Sequence, residues 1–210
     1  AGWVPVPGRV DVVVDFSSPA GALDALAYAA SCGAALVSGT TGVDDGYFAA
    51  LDRASAEIPV LHAANTSLGV WVLRALVEAT ARALPASFDV EIVEAHHRRK
   101  VDAPSGTALL LERAARDGRA SLGPRVDGRS GHVGARASGE VGMHAVRGGD
   151  VVGDHAVMFL GDGERVELAH RATDRRIFAR GALQAARWIV GRPAGRYSMN
   201  DVLGLTAGAS

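Results

Sequence analysis

The sequence predicts an α/β protein in which a parallel-sheet layer is joined to an inserted α+β layer. Residues 10–16 (VDVVVDF) form a near-continuous apolar run, which is typical of a strand buried on both faces of a parallel sheet. Strand-like and helix-like segments then alternate up to residue 84. Beyond that point several strand candidates follow one another, which indicates an antiparallel layer.

The first layer is predicted to contain three strands that alternate with two helices. Ser17 or Ser18 can cap the first helix, Pro19 suits its first turn, and Gly33 can supply a left-handed stop. Residues 44–57 form a second helical stretch. The strands are predicted at Val10–Phe16, Ala35–Ser38 and Val60–Ala63.

A longer third helix, capped by Thr66 or Ser67 and ending near Leu84, leads into the second layer. Its predicted apolar face consists of Leu68, Trp71, Val72, Ala75, Leu76 and Ala79. The segments predicted after it are a strand at Val90–Ala95, a helix at Ser105–Asp117 stopped by Gly118, and a Gly-, Ser- and Arg-rich mobile loop at Gly118–Gly139.

The last third of the chain is predicted to pair strands through a tight Asp162-Gly163 turn and to close with an amphipathic helix. We expect residues 1–66 and 176–210 to form one domain and residues 67–175 a second. Little pattern remains in the tail up to Leu205. The predicted strands are Val141–Val146, His155–Leu160 and Arg165–Ala172, and the helix is Ile177–Val190.

The composition argues against several classes of function. With 22 basic and 23 acidic residues the net charge is −1, so no overall positive field favours nucleic acid or an anionic membrane. No apolar run approaches the ~20 residues of a membrane-spanning helix, and no signal peptide is evident at the N-terminus. Cys32 is the single cysteine, and we expect it to be a small core residue of a cytoplasmic protein.

Residues 94–108 (EAHHRRKVDAPSGTA) contain the pattern most indicative of chemistry. Five consecutive side chains from His96 to Lys100 can be cationic, and they precede Ser105, Gly106 and Thr107 at a helix start, where backbone N–H groups bind anions. Lys100 is the only lysine, and unlike arginine it can transfer a proton. The pattern predicts a site for a small dianion with a proton donor beside it, and no metal, because two histidines without a third ligand suit zinc poorly.

Each of these features has a simpler interpretation. The Ser-Gly-Thr sequence can be an ordinary helix cap, and Arg98, Arg99 and Lys100 can bind nucleic-acid phosphates. The GTTG sequence at residues 39–42 is by itself an ordinary tight turn. It stands between a predicted strand and a predicted helix, however, where open α/β sheets bind their ligands.

The string E-A-H-H-R-x-K-x-D-A-P-S-G-T-A resembles the signature of the dihydrodipicolinate reductase family. The resemblance covers nearly all of residues 10–205, and it implies a Rossmann-like coenzyme-binding domain, incomplete at its N-terminus, with a substrate-binding and oligomerisation domain whose sheet is antiparallel or mixed. The other similar segments are DFSSP (15–19), GTTG (39–42), HAANTSLG (62–69), VRGGDVVGDHAVMF (146–159) and ATDRRIFARGALQAARWIV (172–190).

The resemblance also implies a function. The family reduces a small cyclic dicarboxylate to tetrahydrodipicolinate with NADH or NADPH, in diaminopimelate and lysine synthesis, and commonly forms homotetramers. By position, His96 and Lys100 would be the acid/base and proton-donor residues. The substrate carboxylates would be bound by His97, Ser105, Gly106, Thr107 and Arg175, and the coenzyme by Phe16, Gly39, Thr40, Thr41, Ala63, Ala64, Asn65 and Thr66.

The sequence departs from the family pattern before Val10, where the family has a strand, a G-x-x-G-x-x-G turn and a helix that bind the pyrophosphate. Without that strand, residues 10–16 would be an exposed apolar edge, so we expect upstream sequence in the working protein. Ser18 replaces an arginine of some relatives and Thr66 an aromatic residue of many, which leaves the choice between NADH and NADPH open. The alternative is a dicarboxylate-binding paralogue without catalysis.

Overall fold

The computed structural model describes residues 8–205, which divide into two compact units. One unit contains the described residues up to Leu68 and from Arg176 onward, and the other is Gly69–Arg175. The elements are β1 (Val12–Asp15), α1 (Pro19–Cys32), β2 (Ala35–Ser38), α2 (Asp45–Ala54), β3 (Pro59–His62), α3 (Leu68–Ala83), β4 (Asp89–His96), α4 (Gly106–Gly118), β5 (Arg125–Asp127), β6 (Val141–Arg147), β7 (Gly153–Gly161), β8 (Glu164–Ala172), α5 (Arg176–Ile189), β9 (Gly195–Tyr197) and α6 (Met199–Leu203).

The first unit is built on a parallel sheet in the order β1-β2-β3-β9. The three strands and two helices predicted for this layer are present, and β1 lies at the edge of the sheet among the residues described. The tail contains β9 and α6, which the sequence pattern did not predict. A three-residue strand is too short to show any periodicity, and β9 is recognisable only by its pairing with β3.

Local signals determine the bounds of α1. The Ser18 hydroxyl accepts a hydrogen bond from the Gly21 amide at 3.2 Å, Pro19 occupies the first turn, and Gly33 ends the helix in the left-handed conformation at φ 66°. Cys32, expected in the core, is instead exposed. It lies on the solvent side of α1, because the buried face of that helix consists of alanines and Leu26.

The second unit contains a mixed sheet in the order β5-β6-β4-β7-β8. β7 runs antiparallel to both of its neighbours, β4 and β8, as predicted, and Asp162-Gly163 forms the β7–β8 turn. The antiparallel prediction is wrong for β6, which pairs in parallel with β4 and with β5. The predicted loop at residues 118–139 contains β5, whose three residues show no alternating pattern.

The predicted apolar face of α3 is wrong. The residues that α3 buries are Val70, Leu73, Val77 and Ala81, whereas Val72 and Leu76 are exposed. The helix is apolar on more than one side, so its own periodicity does not identify the face that packs against the core of β4 and α4.

Gly118 was expected to stop α4, but it is the last residue of the helix. A Cβ atom at this position would lie 2.2 Å from the carbonyl oxygen of Glu78 in α3, so glycine is required there for the close approach of the two helices. Next to it, the buried Arg119 guanidinium donates to the carbonyls of Ala81 and Leu84 at the C-terminal end of α3, and to the Phe88 carbonyl just before β4.

Candidate active site

The carboxyl ends of β1, β2 and β3 meet at one edge of the first unit. The final residues of the strands, Asp15, Ser38 and His62, are aligned in register across the sheet. The loops that follow them therefore lie side by side, and these loops contain all the residues predicted to bind coenzyme.

Asp15 links two of these loops. Its buried carboxylate accepts hydrogen bonds from the Ser38 and Thr40 hydroxyls, both at 2.7 Å, and from the amide and hydroxyl of Ser17 at 3.0 and 2.5 Å. Burial by itself would raise the pKa of Asp15, but the hydrogen bonds from Ser17, Thr40 and Ser38 outweigh it and hold the pKa below its usual value. An ionised Asp15 thus fixes the positions of both loops.

The predicted coenzyme residues fall into two groups. Phe16, Thr41 and Ala64 are exposed, whereas Ala63 and the side chains of Thr40 and Thr66 are buried. The Thr66 hydroxyl donates to the Phe178 carbonyl at 2.7 Å, and the Asn65 side chain accepts from the Ser67 amide at 2.8 Å. Thr40 and Thr66 therefore shape the loops, and the exposed group is positioned to contact a ligand.

Gly39 lies directly against the Phe16 ring. A Cβ atom at position 39 would be only 2.3 Å from the ring, so glycine is required for Phe16 to lie over the GTTG loop. The Phe16 side chain is nonetheless half exposed. An exposed aromatic ring beside neutral hydroxyl and amide groups fits the uncharged nicotinamide and ribose of a dinucleotide.

In the second unit, one face of β4 changes from apolar to polar along its length. Val90 and Ile92 point into the core, and Glu94 and His96 continue the same alternation at the carboxyl end of the strand. Glu94 is fully buried, and its Oε2 lies 2.5 Å from His96 Nδ1. The strand thereby places a hydrogen-bonded carboxylate–imidazole pair at the border of the core.

Two further elements contact the Glu94 carboxylate. Arg147, at the end of β6, donates to both oxygens at 2.8 Å, and the Ser105 amide donates to Oε1 at 3.0 Å. Burial would raise the pKa of Glu94, but the hydrogen bonds from Arg147, His96 and Ser105 outweigh it and lower the pKa. Glu94 is therefore ionised at neutral pH.

Ser105 is the N-cap of α4. Its hydroxyl accepts from the Ala108 amide at 3.2 Å and also forms a 3.1 Å hydrogen bond with His155 Nε2. The His155 ring packs edge-on against His96, with 5.1 Å between the ring centroids. Burial and the neighbouring His96 lower the pKa of His155 to about 4, so His155 is neutral at physiological pH.

The remaining predicted residues surround this cluster. Lys100 forms a 2.8 Å ion pair with the exposed Asp102, and Gly106 begins α4 with open space where a side chain would project. His97 has a buried Nδ1 atom without a hydrogen-bond partner in residues 8–205. Desolvation and the positive charges of Arg99 and Arg175 lower the pKa of His97. Arg175 thus lies within electrostatic reach of His97.

Sequence reasoning missed four residues that organise these sites: Asp15, Glu94, Arg147 and His155. Asp15 and Glu94 stand inside segments that attracted attention for other reasons, and a carboxylate within an apolar strand was an available signal. Arg147 and His155 gave no signal of their own. They approach Glu94 and Ser105 from positions about 50 residues away in the chain.

Family profiles cover nearly the whole chain. The profile described as "Dihydrodipicolinate reductase, N-terminus" matches residues 4–66, and that described as "Dihydrodipicolinate reductase, C-terminus" matches residues 69–203. The 4-hydroxy-tetrahydrodipicolinate reductase of Acinetobacter baumannii (strain AYE) is 51% identical over 197 residues, covering 93% of this chain and 72% of the relative. The protein of the same name from Methylocella silvestris is 53% identical, with the same coverage of each chain.

A solved structure agrees at the level of the fold. The dihydrodipicolinate reductase from Paenisporosarcina sp. TG-14, solved with dipicolinate bound, has a TM-score of 0.70 and 24% identity, covering 90% of this chain and 71% of its own. The prediction of a Rossmann-like parallel layer combined with a mixed-sheet layer is confirmed. With both halves of the chain matched and relatives at half identity, this protein belongs to the dihydrodipicolinate reductase family.

Proposed function

We propose that this protein reduces 4-hydroxy-tetrahydrodipicolinate to tetrahydrodipicolinate with NADH or NADPH, a step of diaminopimelate and lysine synthesis. The observation that carries the proposal is the junction of β4 and α4 in a chain of this family. There, His96 shares the Glu94 carboxylate with the Ser105 amide at the start of α4, and His97 and Lys100 follow His96 in the chain. Cationic side chains and a helix N-terminus together suit a small dicarboxylate.

In this proposal the substrate carboxylates are bound by His97, Ser105, Gly106, Thr107 and Arg175. Ser105 acts through its position, because its buried hydroxyl already caps α4 and bonds His155. Gly106 allows close approach at the helix start, and an anion held between His97 and Arg175 would offset the charges that lower the pKa of His97. We therefore expect both the backbone amides of the helix start and the cationic side chains to contribute to binding of the substrate carboxylates.

His96 and Lys100 are the proposed acid/base groups. Hydride addition to the ring builds negative charge that extends toward the ring nitrogen, and a cation beside that atom stabilises the charge as it develops. Lys100, held by Asp102 at 2.8 Å, can both provide that charge and deliver the proton. His96 is held by Glu94, which leaves its Nε2 atom for the reaction.

The coenzyme, NADH or NADPH, supplies the hydride when bound. We assign its nicotinamide-ribose half to the loops after β1, β2 and β3, with Phe16, Thr41, Ala64 and Asn65 as contacts. Gly39, Thr40, Ala63 and Thr66 complete the proposed site by setting the shape of these loops. This assignment follows from the loop geometry and from the neutral character of the groups that line it.

We further propose a cytoplasmic homotetramer formed through the sheet of the second unit. Val146, the penultimate residue of β6, is more than half exposed, and β8 is a largely exposed edge strand of that sheet among the residues described. The exposed Cys32 thiol suits a reducing compartment. Within the residues described, no helix is both long and apolar enough to cross a membrane.

Light scattering tests the proposed homotetramer. It should give four times the subunit mass, and a monomer would contradict the proposed assembly.

A coenzyme-consumption assay tests the function. The natural polypeptide that contains this sequence is mixed with NADH or NADPH and with the ring formed from aspartate semialdehyde and pyruvate, and coenzyme absorbance is followed. We expect loss of absorbance that depends on both enzyme and ring. If the protein binds dipicolinate in calorimetry but consumes neither coenzyme, it is the non-catalytic dicarboxylate binder and the proposal is wrong.

Replacing Gly106 with alanine tests the carboxylate site. A Cβ atom there meets no protein atom within 4 Å and the backbone is not left-handed, so Gly106→Ala should leave the melting temperature unchanged or slightly raised. The added methyl group would occupy space that the carboxylate needs, at a cost of about 1–3 kcal/mol. We expect KM for the ring to rise by roughly tenfold or more, with a small change in kcat. An unchanged KM would place the carboxylate elsewhere.

A further inference from the structure

The fully buried Glu94 joins three elements of the second unit at one point. One of its oxygens contacts His96 Nδ1 at 2.5 Å and Arg147 Nη1 at 2.8 Å. The other accepts from the Ser105 amide at 3.0 Å and from Arg147 Nη2 at 2.8 Å. A single carboxylate therefore connects the end of β4, the end of β6 and the start of α4.

These contacts determine where the His96 ring carries its hydrogen. An ionised carboxylate can only accept hydrogen bonds, so the His96 nitrogen that faces Glu94 must be the donor. Nδ1 therefore carries a hydrogen, and the neutral ring has its lone pair on Nε2. That atom lies near the backbone of Gly153, where a Cβ would be 3.0 Å away, so no side chain stands between them.

The same carboxylate sets the position of the helix start. The Ser105 amide precedes the first turn of α4, and its hydrogen bond to Glu94 anchors the N-cap residue to the end of β4. A shift of Glu94 would move the ring of His96 and the Ser105-Gly106 backbone together. Arg147 neutralises the buried charge, which would otherwise be costly.

We propose that Glu94 is a positioning residue, which holds His96 in the Nδ1–H tautomer and fixes the start of α4 relative to it. The Nε2 atom of His96 and the carboxylate-binding amides at the start of α4 are thereby held at fixed positions relative to each other. This inference rests on the proposed function, because it assigns His96 and α4 to the same reaction. Glu94 itself is fully buried, so in this proposal it acts through His96 and α4 and not on the substrate directly.

Glu91 offers a matched control on the same strand. It is also a buried carboxylate, and it also accepts hydrogen bonds from one histidine and two arginines, His144, Arg129 and Arg136. Because it lies three residues earlier in β4, its side chain projects from the opposite face of the sheet. Glu91→Gln removes a comparable buried charge without touching His96 or Ser105.

Glu94→Gln replaces one oxygen with an NH₂ group of the same size. Both oxygens of Glu94 face donors, so the new NH₂ group must oppose either His96 or the Ser105 amide. Arg147 donates to both oxygens, so it opposes the NH₂ group in either orientation and does not choose between them. A backbone amide cannot give up its hydrogen, whereas an imidazole can move its hydrogen to the other nitrogen. We therefore expect the NH₂ group to face His96, which then accepts at Nδ1 and carries its hydrogen on Nε2.

Two measurements test the inference. Nitrogen-15 NMR of the imidazole rings, with His96 assigned through a His96→Gln variant, should show the Nδ1–H tautomer in the natural protein and the Nε2–H tautomer in Glu94→Gln. Steady-state kinetics should show kcat reduced by about 100-fold in Glu94→Gln, with KM changed by less than about threefold. Glu91→Gln should retain kcat within about threefold and the natural tautomer.

The tautomer measurement needs no catalysis, so it separates this inference from the proposed function. A neutral Nε2–H ring in the natural protein would overturn the inference even if the Glu94 variant failed to fold. Turnover within about threefold of the natural value in a folded Glu94→Gln variant would also overturn it. If the natural protein shows the Nδ1–H tautomer but consumes no coenzyme, the proposed function fails while the positioning of His96 by Glu94 stands.

Discussion

Replacing Lys100 with arginine should reduce kcat by about 10²- to 10⁴-fold, the usual contribution of a positioned acid or base. Arginine retains the positive charge and can still pair with Asp102, which lies 2.8 Å from the Lys100 ammonium. It cannot give up a proton at neutral pH, however, so the proton-transfer step loses its donor. Because the charge that attracts the substrate remains, we expect KM to change only modestly.

The neighbouring Arg99 provides the control for this experiment. Arg99→Lys makes the opposite exchange one position earlier, at an exposed side chain. It should leave kcat within about threefold of the natural value, since a solvent-exposed charge interacts only weakly with its neighbours. If Lys100→Arg also retained near-normal turnover, Lys100 would not be the proton donor, and His96 would remain as the candidate.

Replacing Gly181 with alanine should destabilise the first unit by about 3 kcal/mol or more, as overpacking against rigid backbone does. In an open helix the same change stabilises by about 1 kcal/mol. Gly181 lies in α5, where a Cβ atom would be 1.7 Å from the carbonyl oxygen of Thr66. Backbone atoms cannot rotate away as a side chain can, so α5 or the loop that contains Thr66 must shift.

The Gly181 variant should also weaken coenzyme binding, because Thr66 ends the proposed coenzyme loop and its hydroxyl bonds the Phe178 carbonyl in α5 at 2.7 Å. Chemical denaturation measures the stability, and titration of NADH fluorescence measures the binding. Gly106→Ala is the matched control, since its Cβ meets no protein atom and its melting temperature should not fall. A Gly181→Ala protein as stable as the natural one would show that α5 does not pack against Thr66 as described.

Parts of the fold follow from local chemistry, and these were predictable. The bounds of α1 are set within a few residues by Ser18, Pro19 and Gly33, whose effects do not depend on the rest of the chain. The β7–β8 turn at Asp162-Gly163 is equally local, because Gly163 adopts the left-handed conformation at φ 80°, which glycine reaches without the steric cost that a side chain would add.

Other parts depend on what each element packs against. The helix α3 is apolar on several sides, and only the core that it shares with β4 and α4 selects Leu73, Val77 and Ala81 as part of its buried face. The direction of β6 could not be predicted from its sequence either. Parallel and antiparallel strands with one buried face show the same alternation of apolar and polar residues. The strand β9 is identified only by its bonds to β3.

For the proposed site, the sequence alone determined which residue types are available and their order: the cationic run from His96 to Lys100, the helix start at Ser105 and the GTTG loop after β2. Each of these features occupies its own short, contiguous segment, so it can be recognised without knowledge of the fold. Only the tertiary structure decided that Glu94 is shared among His96, Arg147 and Ser105, and that His155 completes the cap of α4. The physical reason is that hydrogen bonds between residues about 50 positions apart depend on strand pairing, which no local propensity encodes.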